Sequence, residues 1–331
     1  MEGKPKILVA RIGAIGDICM LIPVVHALSR RYEVHWLIRE SHMALVRCFP
    51  AVTCRLIGTS PGPDEDQPFP PQLLTGLRDE GYACLIDFSH WCCVTWLARQ
   101  LGEIPLRAVT QDSGQDALLG IATDPTKQRE AFNCIVPVPP DARQIDKWRM
   151  LLRACGIDVE LDWPLPPLLS LADGRPLRVF VHPHAGKPEK IWPAGRFAGA
   201  LRRIAAFQPV RCVINGAGSR TVRELRWRLR FAGIRNEVVP LDPSFRRLQD
   251  ELRRSDIAIG CDSGPMHFAS LLGVPTLVVY GRYSADEFGP LWRSTAVSPP
   301  QPGMDADSVS IEAVSAALAR LVDELRAAPQ G

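Results

Sequence analysis

What this 331-residue chain lacks narrows its function before any motif is read. No apolar run approaches the ~20 residues a membrane-spanning helix needs, although hydrophobic residues make up 46% of the chain. The first βα turn, RIGAIGDI from Arg11 to Ile18, is neither the G-x-G-x-x-G of a dinucleotide site nor the G-x-x-x-x-G-K-[ST] of a P-loop. An NAD oxidoreductase and a P-loop NTPase thereby lose their main support. The ten cysteines include no C-x-x-C pair. Cys19, Cys84, Cys134, Cys212 and Cys261 sit in apolar segments and read as small buried hydrophobes. Adjacent Cys92 and Cys93 would point in different directions on a helix, so they make no metal site. A formal net charge of only +3 does not predict nucleic-acid binding. The start, MEGKPKILVARIG, lacks the apolar core and cleavage site of a secretory signal, which gives a cytoplasmic expectation.

A chain of this length predicts two domains of roughly 150 residues each. Its first half reads as strand KILVAR, a glycine-rich turn, a helix over about residues 17–30, and strands EVHWLI and ACLIDF. TSPGPDEDQPFPPQ, residues 59–72, reads as a surface loop, and its DED lacks the strand-end setting of a metal-binding D-x-D. A helix over RQIDKWRMLLRACG precedes a proline-rich stretch, which sets domains at 1–165 and 176–331 with a linker at 166–175. Strand-like RVFVHPHA, RCVINGAG, EVVPL, IAIGCD and TLVVYG then alternate with helical patterns. The expectation is α/β: two Rossmann-like, doubly wound domains facing a central cleft at the carboxyl ends of their strands.

Candidate chemistry gathers at those strand ends. Gly13 and Gly16 permit a tight turn, and Asp17 falls where the first helix begins. An acid there is ordinarily an N-terminal cap; placed at a cleft, it can also act as general base toward an alcohol. In IAIGCDSGPMHFASLLG the strand ends on Asp262, Ser263 and Gly264, and Pro265 suits the first position of a helix carrying His267. Backbone N–H groups and a partial positive charge at such a helix start form an anion site. The plainer reading leaves Asp262 or Ser263 as a cap and His267 on the helix surface. VHPHAGKPEKIWP places His182, His184, Lys187 and Lys190 at another strand end, although loop lysines are usually just solvated. Gly216 and Gly218 in INGAGSRTVRE suit close backbone approach by a ligand.

RIGAIGDICMLIPVVHAL, KIWP at 190–193 and DSGPMHFASLLGVPTLVVYG together resemble glycosyltransferase family 9, which includes the ADP-heptose:lipopolysaccharide heptosyltransferases. The resemblance implies a GT-B architecture, with an acceptor-binding N-terminal domain and a nucleotide-sugar-binding C-terminal domain. It implies an inverting transferase in which Asp17 is the base, and Lys190 with the N–H groups of Ser263 and Gly264 stabilises the departing diphosphate. Asp262 would orient the sugar or the loop, and His267 would support the phosphate site. Leu241, Asp242, Pro243 and Ser244 would lie near the adenine, and no cofactor or obligatory metal is expected. Expected partners are a nucleotide-sugar donor and a lipid-linked or glycan acceptor, with peripheral contact at the inner membrane face. Arg11, Arg99 and Arg107 are general candidates for anionic acceptor groups, with surface solvation as the alternative. One departure stands out: several heptosyltransferases carry Gly-Ala-Glu where this chain has Gly216-Ala217-Gly218, with Glu224 farther along. A different nucleotide sugar or acceptor, or a non-catalytic sugar-nucleotide binder, remains open on that account.

Overall fold

Ile7, Leu8, Val9 and Ala10 are wholly buried, as expected of a strand covered by helices on both faces. They belong to β1 (Lys6–Ala10) of a computed structural model that describes residues 3–60, 69–89, 91–111, 124–168, 170–171, 174–216, 218–240, 242–283 and 285–329. The chain divides into units Met1–Trp163 and Pro164–Gly331. In the first unit, β1 is joined by β2 (Glu33–Arg39), β3 (Arg55–Thr59), β4 (Cys84–Asp87), β5 (Leu106–Gln111) and β6 (Cys134–Pro137). All pair parallel, in the order β3-β2-β1-β4-β5-β6.

The second unit repeats the plan. Its strands are β7 (Leu177–His182), β8 (Val210–Asn215), β9 (Arg235–Val239), β10 (Ile257–Cys261), β11 (Thr276–Val279) and β12 (Ser294–Val297). They pair parallel in the order β12-β11-β10-β7-β8-β9. Numbered from its own first strand, this is the same Rossmann order as the first unit. In each sheet the winding direction reverses beside the first strand, between β1 and β4 and between β7 and β10. That reversal opens a crevice at the strand carboxyl ends where ligands bind in this class of sheet.

The sequence patterning finds the edge strand β9 and every interior strand except β5, and leaves β3, β5, β6 and β12 unassigned. Three of these are edge strands, and each of the three keeps most of its residues partly exposed, so none shows a continuous apolar run. The first helix runs Ile15–Ser29, two residues ahead of the expected start. Pro265 occupies the second position of helix Gly264–Leu271 rather than the first, with Ser263 as N-cap. Cys19, Cys84, Cys212 and Cys261 are buried as expected, whereas Cys134 is only half-buried because it opens an edge strand.

Trp192 of the KIWP motif anchors the second core. It is fully buried, packs edge-on against Phe197 at 4.7 Å between ring centroids, and donates from Nε1 to the carbonyl of Val309 at 3.0 Å. Trp192→Ala removes both the packing and the hydrogen bond, with an expected cost of about 3–5 kcal/mol. Urea unfolding with an unchanged m-value checks it, and a loss below about 1 kcal/mol would show that the ring is not the anchor.

Candidate active site

In the first unit the crevice is built around Arg11 and Asp17. Helix Ile15–Ser29 has Ala14 as N-cap, which offers no side-chain acceptor, and the Asp17 Oδ2 reaches back to accept from the Ala14 N–H at 2.9 Å. Asp17 therefore fills the capping role. Its other oxygen lies 2.8 Å from Arg11 Nη2. Arg11 is buried, its guanidinium stands 5.4 Å from the centroid of the Trp148 ring, and it donates to the Phe88 carbonyl at the end of β4. The alternative of Arg11 as a solvated surface charge is thus corrected: it is buried and holds the Asp17 carboxylate in one orientation. The Ile12 N–H donates to Ser89 Oγ at 3.0 Å, and the Ser89 N–H donates to the buried Asp87 at 2.6 Å. These bonds lock the turn after β1 to the turn after β4.

Gly13 and Gly16 do not act as turn glycines. Neither has a positive φ, and Gly16 lies inside the helix. Gly13 is needed for space, because a Cβ there would collide with Asp17 Oδ2 and come within 3.1 Å of Arg11 Nε. The other arginines serve the scaffold. Arg107 donates to the carbonyls of Gly102 (2.7 Å) and Ile104 (2.5 Å) in the loop before β5 and of Ala131 (2.7 Å) at the end of helix Pro125–Ala131. Arg99 pairs at 3.3 Å with Glu130 on an exposed helix face.

In the second unit, Lys190 ends a single turn of 3-10 helix after β7 and Asp262 follows β10. Lys190 Nζ lies 2.6 Å from Asp262 Oδ2, so the pair spans the strands at the winding reversal. Asp262 is buried, and burying an ion pair is costly enough that its geometry has to be good. Beside it, helix Gly264–Leu271 begins; its first N–H groups have no acceptor within the helix, and Pro265 carries none. Positive charge and outward N–H groups thus meet at one spot. His267 is buried in that helix rather than on its surface.

Tyr283, which the sequence reading passed over, completes this corner. Lys190 Nζ sits 4.3 Å from the centroid of its ring and Lys187 Nζ sits 5.1 Å from it. Lys187 also donates to the Tyr283 hydroxyl at 2.8 Å, and that hydroxyl donates to Glu189 at 3.2 Å. The signal for this contact is Gly281, where a Cβ would lie 2.5 Å from the Glu189 carbonyl; only glycine lets the chain after β11 approach the lysine turn.

The two histidines face β8. His182 Nδ1–H donates to Asn215 Oδ1 at 2.9 Å, and burial pushes its pKa down to about 4. His184 is half-buried, its pKa lowered by desolvation, with Nε2 3.3 Å from Ser219 Oγ. A Cβ at Gly216 would come within 2.8 Å of the same Nε2, and its φ of 106° also requires glycine. Gly218, at φ 84°, has open space around it, and Glu224 pairs at 2.9 Å with Arg228 on an exposed helix face. Glu224 is therefore engaged on its own helix.

Asp242 is committed to structure. It accepts from the Ser244 N–H (3.0 Å), the Ser244 hydroxyl (2.6 Å) and the Arg247 N–H (3.1 Å), and these bonds hold its carboxyl below the usual range. Pro243 and Ser244 are exposed at the carboxyl end of β9, while Leu241 and the DED of residues 64–66 lie outside the described residues. Phe245, with φ 59°, ties the segment to Phe268 edge-on at 6.3 Å. Among the described residues, no group of three or more His, Cys, Asp or Glu is placed to hold a metal.

Two Rossmann-order units with charged groups gathered at their strand carboxyl ends define the GT-B class of fold. The model of glycosyltransferase family 9 (heptosyltransferase) matches residues 132–305, more than half of the chain, and the chain belongs to that family. It is 24% identical over 300 residues to lipopolysaccharide heptosyltransferase 1 of Pseudomonas aeruginosa, covering 83% of this chain and 78% of that protein. Its fold matches a family 9 glycosyl transferase from Veillonella parvula at TM-score 0.74, with 16% identity, 98% of this chain and 99% of the other covered. It also matches the ADP-heptose lps heptosyltransferase II of E. coli at TM-score 0.71, with 19% identity over 97% of this chain and all of that one (100%).

The buried His182 gives a pH-dependent stability. Its folded pKa of about 4 lies below the unfolded value of 6.5, so the unfolded chain binds the proton first as the pH falls. Its contribution is constant above the unfolded value, is lost as pH drops from there toward about 4, and amounts to on the order of 3 kcal/mol. His182→Gln should flatten that part of the stability profile in denaturant unfolding; an unchanged slope would place the titration elsewhere.

Proposed function

We propose that this chain is an inverting heptosyltransferase that moves a heptosyl group from an ADP-heptose donor to a lipopolysaccharide inner-core acceptor. The observation that carries the reading is the Lys190–Asp262 pair at 2.6 Å beside the start of helix Gly264–Leu271. A diphosphate leaving group develops negative charge as its bond to the sugar breaks. A lysine ammonium and pre-aimed backbone N–H groups of Ser263 and Gly264 stabilise such charge without reorganising at the moment of reaction. Asp262 holds Lys190 in place before the donor arrives and orients the sugar, and His267 backs the phosphate site. The exposed Pro243 and Ser244, with Asp242 fixing their turn, serve the adenine. His182, His184 and Lys187 line the same strand-end edge as secondary contacts, and the open space at Gly218 belongs to the donor sugar or ribose.

In the first unit, Asp17 takes the proton from the acceptor hydroxyl while that oxygen attacks the anomeric carbon from the face opposite the diphosphate. Arg11 keeps one carboxylate oxygen aimed, and general-base assistance of this kind contributes roughly 10²- to 10⁴-fold. The reading assigns positive charge to Lys190 and the helix start, so no step calls for a metal. The reaction is assigned to the cytoplasmic side, on a lipid-borne acceptor. A second reading, with another nucleotide sugar or a different acceptor, is favoured by one observation: Gly218 stands where relatives carry an acid, and Glu224 is engaged elsewhere.

Asp17→Asn should lower transfer roughly 10²- to 10⁴-fold with nucleotide affinity unchanged. Turnover at the wild-type rate, measured with donor and acceptor saturating, would remove Asp17 as the base. Thermal unfolding with ADP, UDP, GDP and NAD at equal concentration should show the largest rise in Tm with ADP, since a ligand bound only by the folded state stabilises it. Preference for UDP or GDP would move the donor to another sugar nucleotide.

A further inference from the structure

On the face of the second unit's sheet covered by helix Arg220–Phe231, away from the groups described above, lies an exposed surface to which the proposed transfer assigns nothing. The helix buries Val222, Leu225 and Leu229. On its opposite side Trp227 is 59% and Phe231 79% exposed, with ring centroids 4.6 Å apart. Two large aromatics held together in water on the outer pole of a helix are unusual for a surface that has nothing to meet.

The aromatics are ringed by positive charge. Arg220, Arg223, Arg226, Arg228 and Arg230 lie on the same helix, and all are exposed. Between this helix and the edge of the sheet is a depression of about 520 Å³ lined by Arg211, Arg226, Arg230 and Arg235 with Asn236 and Glu237. Arg211 and Arg235 are register partners on β8 and β9, so two like charges sit side by side. Side-by-side like charges repel, and Glu237, 3.3 Å from Arg211, offsets part of that charge. The carboxylates nearby are engaged: Glu224 pairs with Arg228, and Glu237 is shared between Arg178 and Arg211. Arg228 and Arg230 fall in the last helical turn, where they also offset the helix dipole; Arg211 and Arg235 lie on strands and have no such reason.

We propose that this face docks the protein on an anionic lipid surface. Trp227 and Phe231 enter the boundary between headgroups and acyl chains, and the arginine-lined depression takes lipid phosphate. An interfacial helix with aromatics on one pole and arginines on its flanks binds by buried apolar area together with attraction to anionic headgroups. Arginine suits the phosphate because its planar fork can meet two oxygens at once. The helix starts after Ser219 at the carboxyl end of β8 and ends before β9 begins, so Phe231, Arg211 and Arg235 all lie at the amino-end edge of the sheet. Lys190, Asp262 and Gly216 lie at the opposite edge, about one helix length away, ~18 Å for twelve residues. Docking by this face leaves the strand-end groups uncovered. The inference does not depend on which sugar nucleotide or acceptor is used.

The test is co-sedimentation of the full chain with vesicles of pure phosphatidylcholine and of phosphatidylcholine mixed with phosphatidylglycerol, at ~0.1 M salt and above. Wild type should bind the anionic vesicles, weakly or not at all the neutral ones, and less as salt rises. The Trp227→Ser/Phe231→Ser and Arg226→Gln/Arg230→Gln double variants should each lose binding by roughly an order of magnitude or more. All these positions are exposed, so wild-type thermal unfolding and wild-type far- and near-UV circular dichroism in both variants establish that they are folded. Undiminished vesicle binding by either folded variant overturns the proposal. So does a concentration-dependent dimer in sedimentation velocity that the aromatic variant dissolves while vesicles recruit nothing, because the face then belongs to a second copy. Capture by inorganic polyphosphate with indifference to vesicles overturns it as well.

Discussion

The parallel pairing of β10 against β7 is the constraint on which the second unit depends. It sets Gly260 beside His182 in register and so fixes where the chain stands when each strand runs out. Strands on one side of that line continue through β8 to β9, and on the other through β11 to β12. At that line the Lys190–Asp262 pair bridges the chain after β7 to the chain after β10. The first unit obeys the same constraint with different chemistry. There β1 against β4 leaves a crevice bridged by Arg11, which reaches Phe88 on one side and Asp17 on the other.

These two bridges differ in what they do for the charges they hold. Arg11 is buried with an aromatic ring near its guanidinium, so it is a fixed scaffold for a more exposed carboxylate. Lys190 is the more exposed partner of a buried acid, and Tyr283 stands near it as a second weak partner. The first arrangement orients an acid toward solvent. The second fixes a partly exposed cation between a buried carboxylate and an aromatic ring.

Much of this was legible in the residues. Interior strands other than β5 declared themselves because helices cover both faces of a parallel sheet and force apolar runs, whereas β5 (LRAVTQ) mixes polar residues with a short buried stretch. The strand-end positions of Asp17, Lys190, His182, Asp262 and Gly216 followed from where those runs stop. Edge strands β3, β6 and β12 did not declare themselves, since half-exposed strands carry mixed residues. Contacts across large sequence separations were also out of reach. Tyr283 meets Lys187 across 96 positions and Arg11 meets Phe88 across 77, and neither pairing has a local pattern. Arg107 misled for the opposite reason: its sequence neighbours do not reveal that three backbone carbonyls converge on it.

Phe245 shows how closely two demands can be tied to one residue. Its φ of 59° is the left-handed region that glycine enters freely and that costs other residues about 1–2 kcal/mol. Its ring, however, is what ties the turn after β9 to Phe268. Glycine would relax the backbone and cut the tether; a small apolar residue would keep the strain and lose the ring. Backbone strain and ring tether thus trade against each other at this one position, and neither glycine nor a small apolar side chain satisfies both.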